Sequence, residues 1–172
     1  EKINNILHKV HNESDILVSM KMRMGYENPE EILKTLLEKK ITVIVLGGGH
    51  DLTYGQYLAY EGGIHPVEMV VVDERIDIQE TEVVNSSSFL WHILNHEPGF
   101  LNNCTHIGHQ GFYNNPRSVD TLESLNYQVL SLGEIRKEII EVEPFLRGAD
   151  ALSMDLSCIK SCECSIHTNY TL

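Results

Sequence analysis

Residues 28–51 read NPEEILKTLLEKKITVIVLGGGHD, and this stretch decides the fold. It opens as a helix. Asn28 suits an N-cap, Pro29 the first helical position, and Glu30 and Glu31 the first turn, where the helix dipole favours acids. Ile32, Leu33, Leu36 and Leu37 keep helical spacing, and Lys39 and Lys40 close the C-terminal end. Ile41–Leu46 follows as a continuous β-branched run that stops at Gly47, Gly48 and Gly49. A strand apolar on both faces, delivered by a helix, is the unit of a parallel sheet covered on both sides.

The unit recurs down the chain. Val67–Val72 reads as a strand ending at Asp73, and Ser88–His96 as a helix with Phe89, Ile93 and Leu94 on one side. Strands are expected over Cys104–Gln110, Tyr127–Leu132 and Ala149–Leu156. Helices are expected over Pro116–Leu125 and Glu134–Leu146, the latter with Ile135, Ile139 and Val142 along its buried stripe. No internal repeat, low-complexity tract or linker interrupts the series, so residues 1–172 are expected to form one α/β domain, three-layer with a mainly parallel sheet.

Composition narrows the function classes. The chain carries 13 Lys and Arg against 25 Asp and Glu, a formal charge of −12. A surface that acidic repels phosphate backbones, which argues against nucleic-acid partners. Apolar runs such as Val67–Val72 are far too short to span a bilayer. Three of the four cysteines, Cys158, Cys162 and Cys164, crowd into the last fifteen residues, with Cys104 alone elsewhere. A secreted disulfide framework spreads its cysteines, so a reduced, cytoplasmic protein is the expectation.

In open parallel sheets functional residues gather at the C-terminal edge of the strands. Three strand ends here carry polar clusters: Gly47-Gly48-Gly49-His50-Asp51, Asp73-Glu74-Arg75-Ile76-Asp77 and Ser153-Met154-Asp155-Leu156-Ser157. One His and three Asp converging on that edge would make a hard, oxygen-rich site, suited to Mn2+ and less well to Mg2+. Asp73 and Asp77 are four apart, so a turning chain can aim both carboxylates at one point. The plainer reading has these Asp residues capping the next helices and His50 satisfying a local hydrogen bond. The glycine run is no phosphate loop, because it lacks both the Lys-Ser/Thr ending and the second spaced glycine pair of a dinucleotide fingerprint.

The three clusters resemble the ordered metal motifs G-G-x-H, D-A-H-x-D and S-x-D-x-D of the ureohydrolases, the family of arginase, agmatinase and formimidoylglutamase. The resemblance runs from about residue 41 to about residue 160. Asn85-Ser86-Ser87-Ser88-Phe89 also resembles the small polar loop of formimidoylglutamase-like members, which makes Asn85, Ser86 and Ser87 substrate-loop candidates. The family implies a three-layer α/β fold, two Mn2+ ions, and hydrolysis of a C–N bond in a linear amidine or guanidine. It also implies that this chain is a partial domain, incomplete at its C-terminus, whose exposed sheet edge invites a homo-oligomer.

The departures are specific. By the resemblance one metal takes His50, Asp73, Asp77 and Asp155, and all four are present. The second metal's own ligands fall at Arg75 and Ser157, and neither side chain can replace the expected His and Asp. One Mn2+ is therefore expected rather than two, with the Arg75 guanidinium filling the vacated place; the alternative is that Arg75 points to solvent from its loop and no metal binds. Activity is expected to be reduced or lost, and a metal-binding or scaffolding relative without turnover is the alternative.

A rival constellation is Cys158, Cys162, Cys164 and His167, four soft ligands that could form a zinc module, although their spacing departs from the usual C-x2-C pairs. His106 and His109 are expected to be packed or hydrogen-bonded near a strand end. His92 and His96 are expected on the surface, and Phe89 and Trp91 in the core.

Overall fold

The computed structural model describes residues 18–20, 29–40, 42–46 and 48–159. The chain divides into two compact units, residues 1–48 and 49–172. In the first, strand β1 (Val18–Met20) pairs in parallel with β2 (Val43–Val45), and helix α1 (Pro29–Glu38) lies between them in sequence. Pro29 opens α1 as its fixed φ predicts, while the expected N-cap Asn28 falls outside the described residues. Leu33 and Leu36 are its buried side chains, and Lys40, at φ 57°, ends the turn that follows. Strand β1 was not expected, because its three residues are too short to show a period.

The second unit holds α2 (Leu52–Leu58), β3 (Val67–Val72), α3 (Phe89–Leu94), β4 (Leu101–His109), α4 (Pro116–Ser124) and β5 (Gln128–Ser131). There follow α5 (Leu132–Lys137), a 3-10 turn at Ile139–Val142, α6 (Glu143–Gly148), β6 (Ala151–Met154) and a last 3-10 turn at Leu156–Cys158. The four strands form one parallel sheet in the order β5-β4-β3-β6. Its two faces separate by the period of two. Val67, Met69 and Val71 on β3, with Cys104 on β4, pack against Tyr57, Phe89, Leu90, Ile93 and Leu122 of α2, α3 and α4. Val70 and Ile107 face the other way, against Val142, Ile135 and Phe145. Helices therefore cover both faces, which is why these strands read as unbroken apolar runs.

The order of the strands places the site. The chain moves outward from β3 through β4 to β5, then returns to the opposite side of β3 as β6. The connection reverses direction between β3 and β6, and ligands in open α/β sheets bind in the crevice at such a reversal, outside the carboxyl ends of the strands. Val72 opposes Met154 at that end, so the residues that follow, Asp73 and Asp155, emerge side by side.

Two further stretches depart from the sequence-based expectations. The single helix over Glu134–Leu146 is instead α5, a 3-10 turn and α6. Pro144, which has no N–H to donate to the preceding turn, fits at the start of α6 and could not sit mid-helix. Ile139, expected on the buried stripe, is 72% exposed, while Val142 is buried. Helix α2 carried no helical signal because Gly55 and its aromatic neighbours are weak helix formers; burial of Tyr57 holds it instead. Among the described residues no helix is long and apolar enough to cross a membrane.

Candidate metal centre

The loop after β3 and the residue after β6 meet His50, which stands two residues before α2. His50 Nδ1 lies 2.8 Å from Asp73 Oδ2, 3.4 Å from Asp77 Oδ2 and 3.9 Å from Asp155 Oδ2. His50, Asp73 and Asp155 each offer a ligand atom within 4.8 Å of the others. His50, Asp73 and Asp77 are 8%, 3% and 7% exposed, whereas Asp155 opens partly to solvent. The imidazole ring packs on the Phe89 ring with centroids 4.3 Å apart.

Each strand-end Asp divides its two oxygens between jobs. Asp73 Oδ1 accepts the Arg75 N–H at 3.0 Å, and Asp155 Oδ1 accepts the Ser157 N–H at 2.6 Å, turning the chain at each strand end. Their Oδ2 atoms face His50. The capping role and the ligand geometry therefore coexist in the same side chains.

His50 Nε2 hydrogen-bonds Ser153 Oγ at 2.9 Å, and Ser153 in turn pairs closely with Thr53 Oγ1. With a proton on Nε2 donated to Ser153, Nδ1 keeps a lone pair aimed at the carboxylates; such an outer hydrogen bond is how ligating histidines are oriented. Nδ1 is buried without a directed hydrogen-bond partner. Ser153 lies inside its motif and was legible there, but nothing in the sequence paired Thr53 with it.

Gly49 sits close to two side-chain ends, which a larger residue would displace. A Cβ there would stand 2.6 Å from Ser86 Oγ and run into the Asp51 carboxylate.

The electrostatics are those of a site short of positive charge. Burial alone lowers the His50 pKa, but the facing carboxylates of Asp73 and Asp77 outweigh it and raise the pKa to about 9. Asp77 is pushed up to about 6 by burial and by the charge of Asp73, against the pull of His50. Burial works on Asp73 too, yet His50 and the Arg75 N–H hold it below its ordinary value. Protons thus gather where a cation would sit. One imidazole with the Asp73 and Asp155 carboxylates in reach of one another, and Asp77 beside His50, is a donor set that a hard divalent ion accepts, and His50 Nδ1 is where it would bind.

A family model described as "Arginase family" matches residues 3–161. The chain belongs to the arginase family. Within that family it resembles formimidoylglutamase: a curated formimidoylglutamase from Lysinibacillus sphaericus is 33% identical over 72 residues, which span 40% of this chain and 22% of that protein. Trypanosoma cruzi formiminoglutamase, crystallised with Mn2+, shares the fold at a TM-score of 0.71 with 19% identity, over 79% of this chain and 49% of that one. The formimidoylglutamase of Bacillus subtilis superposes at a TM-score of 0.66 with 16% identity, over 77% and 45%. The chain thus spans about half the length of these solved structures.

At the two positions where this arginase-family chain departs from the motifs, the structure corrects one expectation. The Arg75 guanidinium does not fill the vacated place. It lies over the Tyr113 ring, 5.0 Å from the centroid, with its side chain 58% exposed, and its one ion pair among the described residues is a loose contact to Glu74. Without it, three carboxylates against one divalent ion leave one negative charge. Ser157 is half-buried, and its N–H is spent on Asp155.

Asn85, Ser86 and Ser87 form an exposed turn, with the Asn85 side chain accepting the Ser87 N–H at 2.9 Å. Ser86 Oγ reaches Asp51 at 3.5 Å, which places the loop beside the His50 motif. His106 is fully buried and hydrogen-bonded through Nε2 to the Arg75 carbonyl at 2.9 Å, as expected for a packed histidine. His92 and His96, expected on the surface, are instead half-buried against Tyr54, whose hydroxyl bonds His96 Nδ1 at 3.2 Å. Phe89 is buried and Trp91 half-buried. Cys158 is a free, half-buried thiol donating to the Asp155 carbonyl at 2.6 Å, while Cys162, Cys164 and His167 lie outside the described residues.

Proposed function

We propose that the chain carries a one-ion ureohydrolase site in which His50, Asp73, Asp77 and Asp155 hold a single Mn2+ for hydrolysis of a linear amidine of the formimidoylglutamate type. The observation that carries this reading is the buried His50 Nδ1 facing three carboxylate oxygens within 3.9 Å. When bound, the cation supplies Lewis-acid activation of water. The chain's own residues do the rest. Ser153 fixes the His50 ring, Asp73 and Asp155 hold their loops open with one oxygen and present the other, and Phe89 excludes water from the back of the imidazole. The exposed loop at Asn85, Ser86 and Ser87 stands where polar atoms could orient a small substrate.

A second reading, a metal-binding relative without turnover, is favoured by Arg75 and Ser157. Their side chains supply no second set of ligands, and one cation activates water less than two. Turnover of formimidoylglutamate, arginine and agmatine in excess Mn2+ separates the two. Slow release of formamide from the first supports the enzyme, whereas folded, Mn2+-loaded protein inert on all three supports the non-catalytic relative. Arg75→His combined with Ser157→Asp should raise the Mn2+ count from one to two. An unchanged count would mean that these positions did not remove a metal.

A further inference from the structure

Four peptide groups join Asp73 to Asp77, and the middle two are tied by hydrogen bonds to residues 106–114. The Asn114 side chain holds both, its Oδ1 accepting the Ile76 N–H at 2.7 Å and its Nδ2 donating to the Glu74 carbonyl at 2.8 Å. The second Nδ2 proton goes to the Gln110 carbonyl at 2.8 Å, tying the loop to the end of β4. His106 Nε2 takes the Arg75 carbonyl at 2.9 Å, and the Gln110 N–H adds a second bond to the Glu74 carbonyl at 3.0 Å. Every hydrogen-bonding group of the Asn114 amide is therefore matched. Its orientation is fixed by chemistry, since the reversed amide would set its oxygen against two carbonyls.

We infer that Asn114 is a positioning residue for the metal centre, a template that shapes the loop so that the Asp73 and Asp77 carboxylates arrive together at His50 Nδ1. This rests on the one-ion reading above and adds to it a residue that touches no ligand atom. Only an amide offers one acceptor and two donors in a plane. Leucine or alanine would leave the Ile76 N–H bare, and aspartate would repel both carbonyls. The loop would then lose two of its ties to the end of β4 and keep those from His106, the Gln110 N–H and the Asp73 turn, so the span between the two carboxylates would be less fixed. His106 keeps its share by donating from Nε2 to the Arg75 carbonyl.

The test compares Asn114→Ala with Ser131→Ala, which removes a helix cap at the start of α5 and leaves the loop untouched. Binding of Mn2+ alone is read from loss of the free-ion electron paramagnetic resonance signal. Asn114→Ala should weaken Mn2+ by about ten- to a hundredfold, the usual effect of removing an outer-shell partner, while Ser131→Ala leaves the affinity unchanged. Equal affinity in the parent and Asn114→Ala, or equal loss in both variants, overturns the template and leaves the metal reading standing. A parent that binds no Mn2+ overturns both. A second measurement needs no variant: in the metal-free parent the Ile76 amide should exchange with deuterium slowly, and exchange at the rate of an open loop would contradict the clamp even if Asn114→Ala failed to fold.

Discussion

His50 concentrates the physics of the site in one ring. Its Nε2 is committed to Ser153 and its Nδ1 to whatever positive charge the three carboxylates attract. In the metal-free protein that charge is a proton. A His pKa raised from 6.5 to about 9 contributes stability that is complete below pH 6.5 and lost as the pH rises through about 9. Asp77, raised from 3.8 to about 6, acts in the same direction lower down: the folded state holds the extra proton between those values, and stability falls as the pH passes through about 6. Asp73, held low, opposes them only in acid, where its contribution is lost as the pH falls through its lowered pKa. Thermal unfolding in chelator should therefore show a midpoint that declines from pH 5 to pH 9, and a flat or rising profile would contradict the clustered charges. Mn2+ competes for the same place, so its affinity should rise over that range. Ser153→Ala should weaken Mn2+ binding by about tenfold or more by freeing the ring, and an unchanged titration would show that Ser153 does not orient His50.

Among the elements, those with a local chemical signal were legible and those held by tertiary burial were not. Asn28-Pro29-Glu30-Glu31 announced α1, and the β-branched runs announced β2 and β3. The 3-10 break inside residues 134–146 was equally local, since Pro144 is in the sequence, but the apolar spacing of Ile135, Ile139 and Val142 masked it. Helix α2, whose hold is the burial of Tyr57 under β3, had no such signal. Of the site, the positions His50, Asp73, Asp77 and Asp155 that the structure brings together could be read because motif order and strand ends coincide. The fate of Arg75 could not, because its partner Tyr113 sits on another loop 38 residues away. Thr53 and Asn114 were hidden for the same reason. The capping box of α5, in which Ser131 and Glu134 satisfy each other's backbone N–H, gives an element-scale prediction. Ser131→Ala should lower stability by about 1 kcal/mol in chemical denaturation. A loss near zero would mean that the cap does not hold the start of α5.

For the molecule as a whole, the reversal of the chain between β3 and β6 does what no single motif can. It sets the ends of two strands adjacent, and His50 closes the triangle from the loop before α2. A chain with formal charge −12 that also gathers three carboxylates, two of them buried, around one imidazole is stabilised by whatever cation enters there. Ligand linkage makes that stabilisation about 2.7 kcal/mol at a hundredfold excess of Mn2+ over its dissociation constant. The most direct measurement is the number of Mn2+ ions bound per chain at neutral pH, read from the free-ion resonance signal for the parent, Asp73→Asn and Asp155→Asn. The account predicts one ion in the parent and none retained at the same concentration in either variant. A parent that binds none, or variants that keep the ion undiminished, would contradict it.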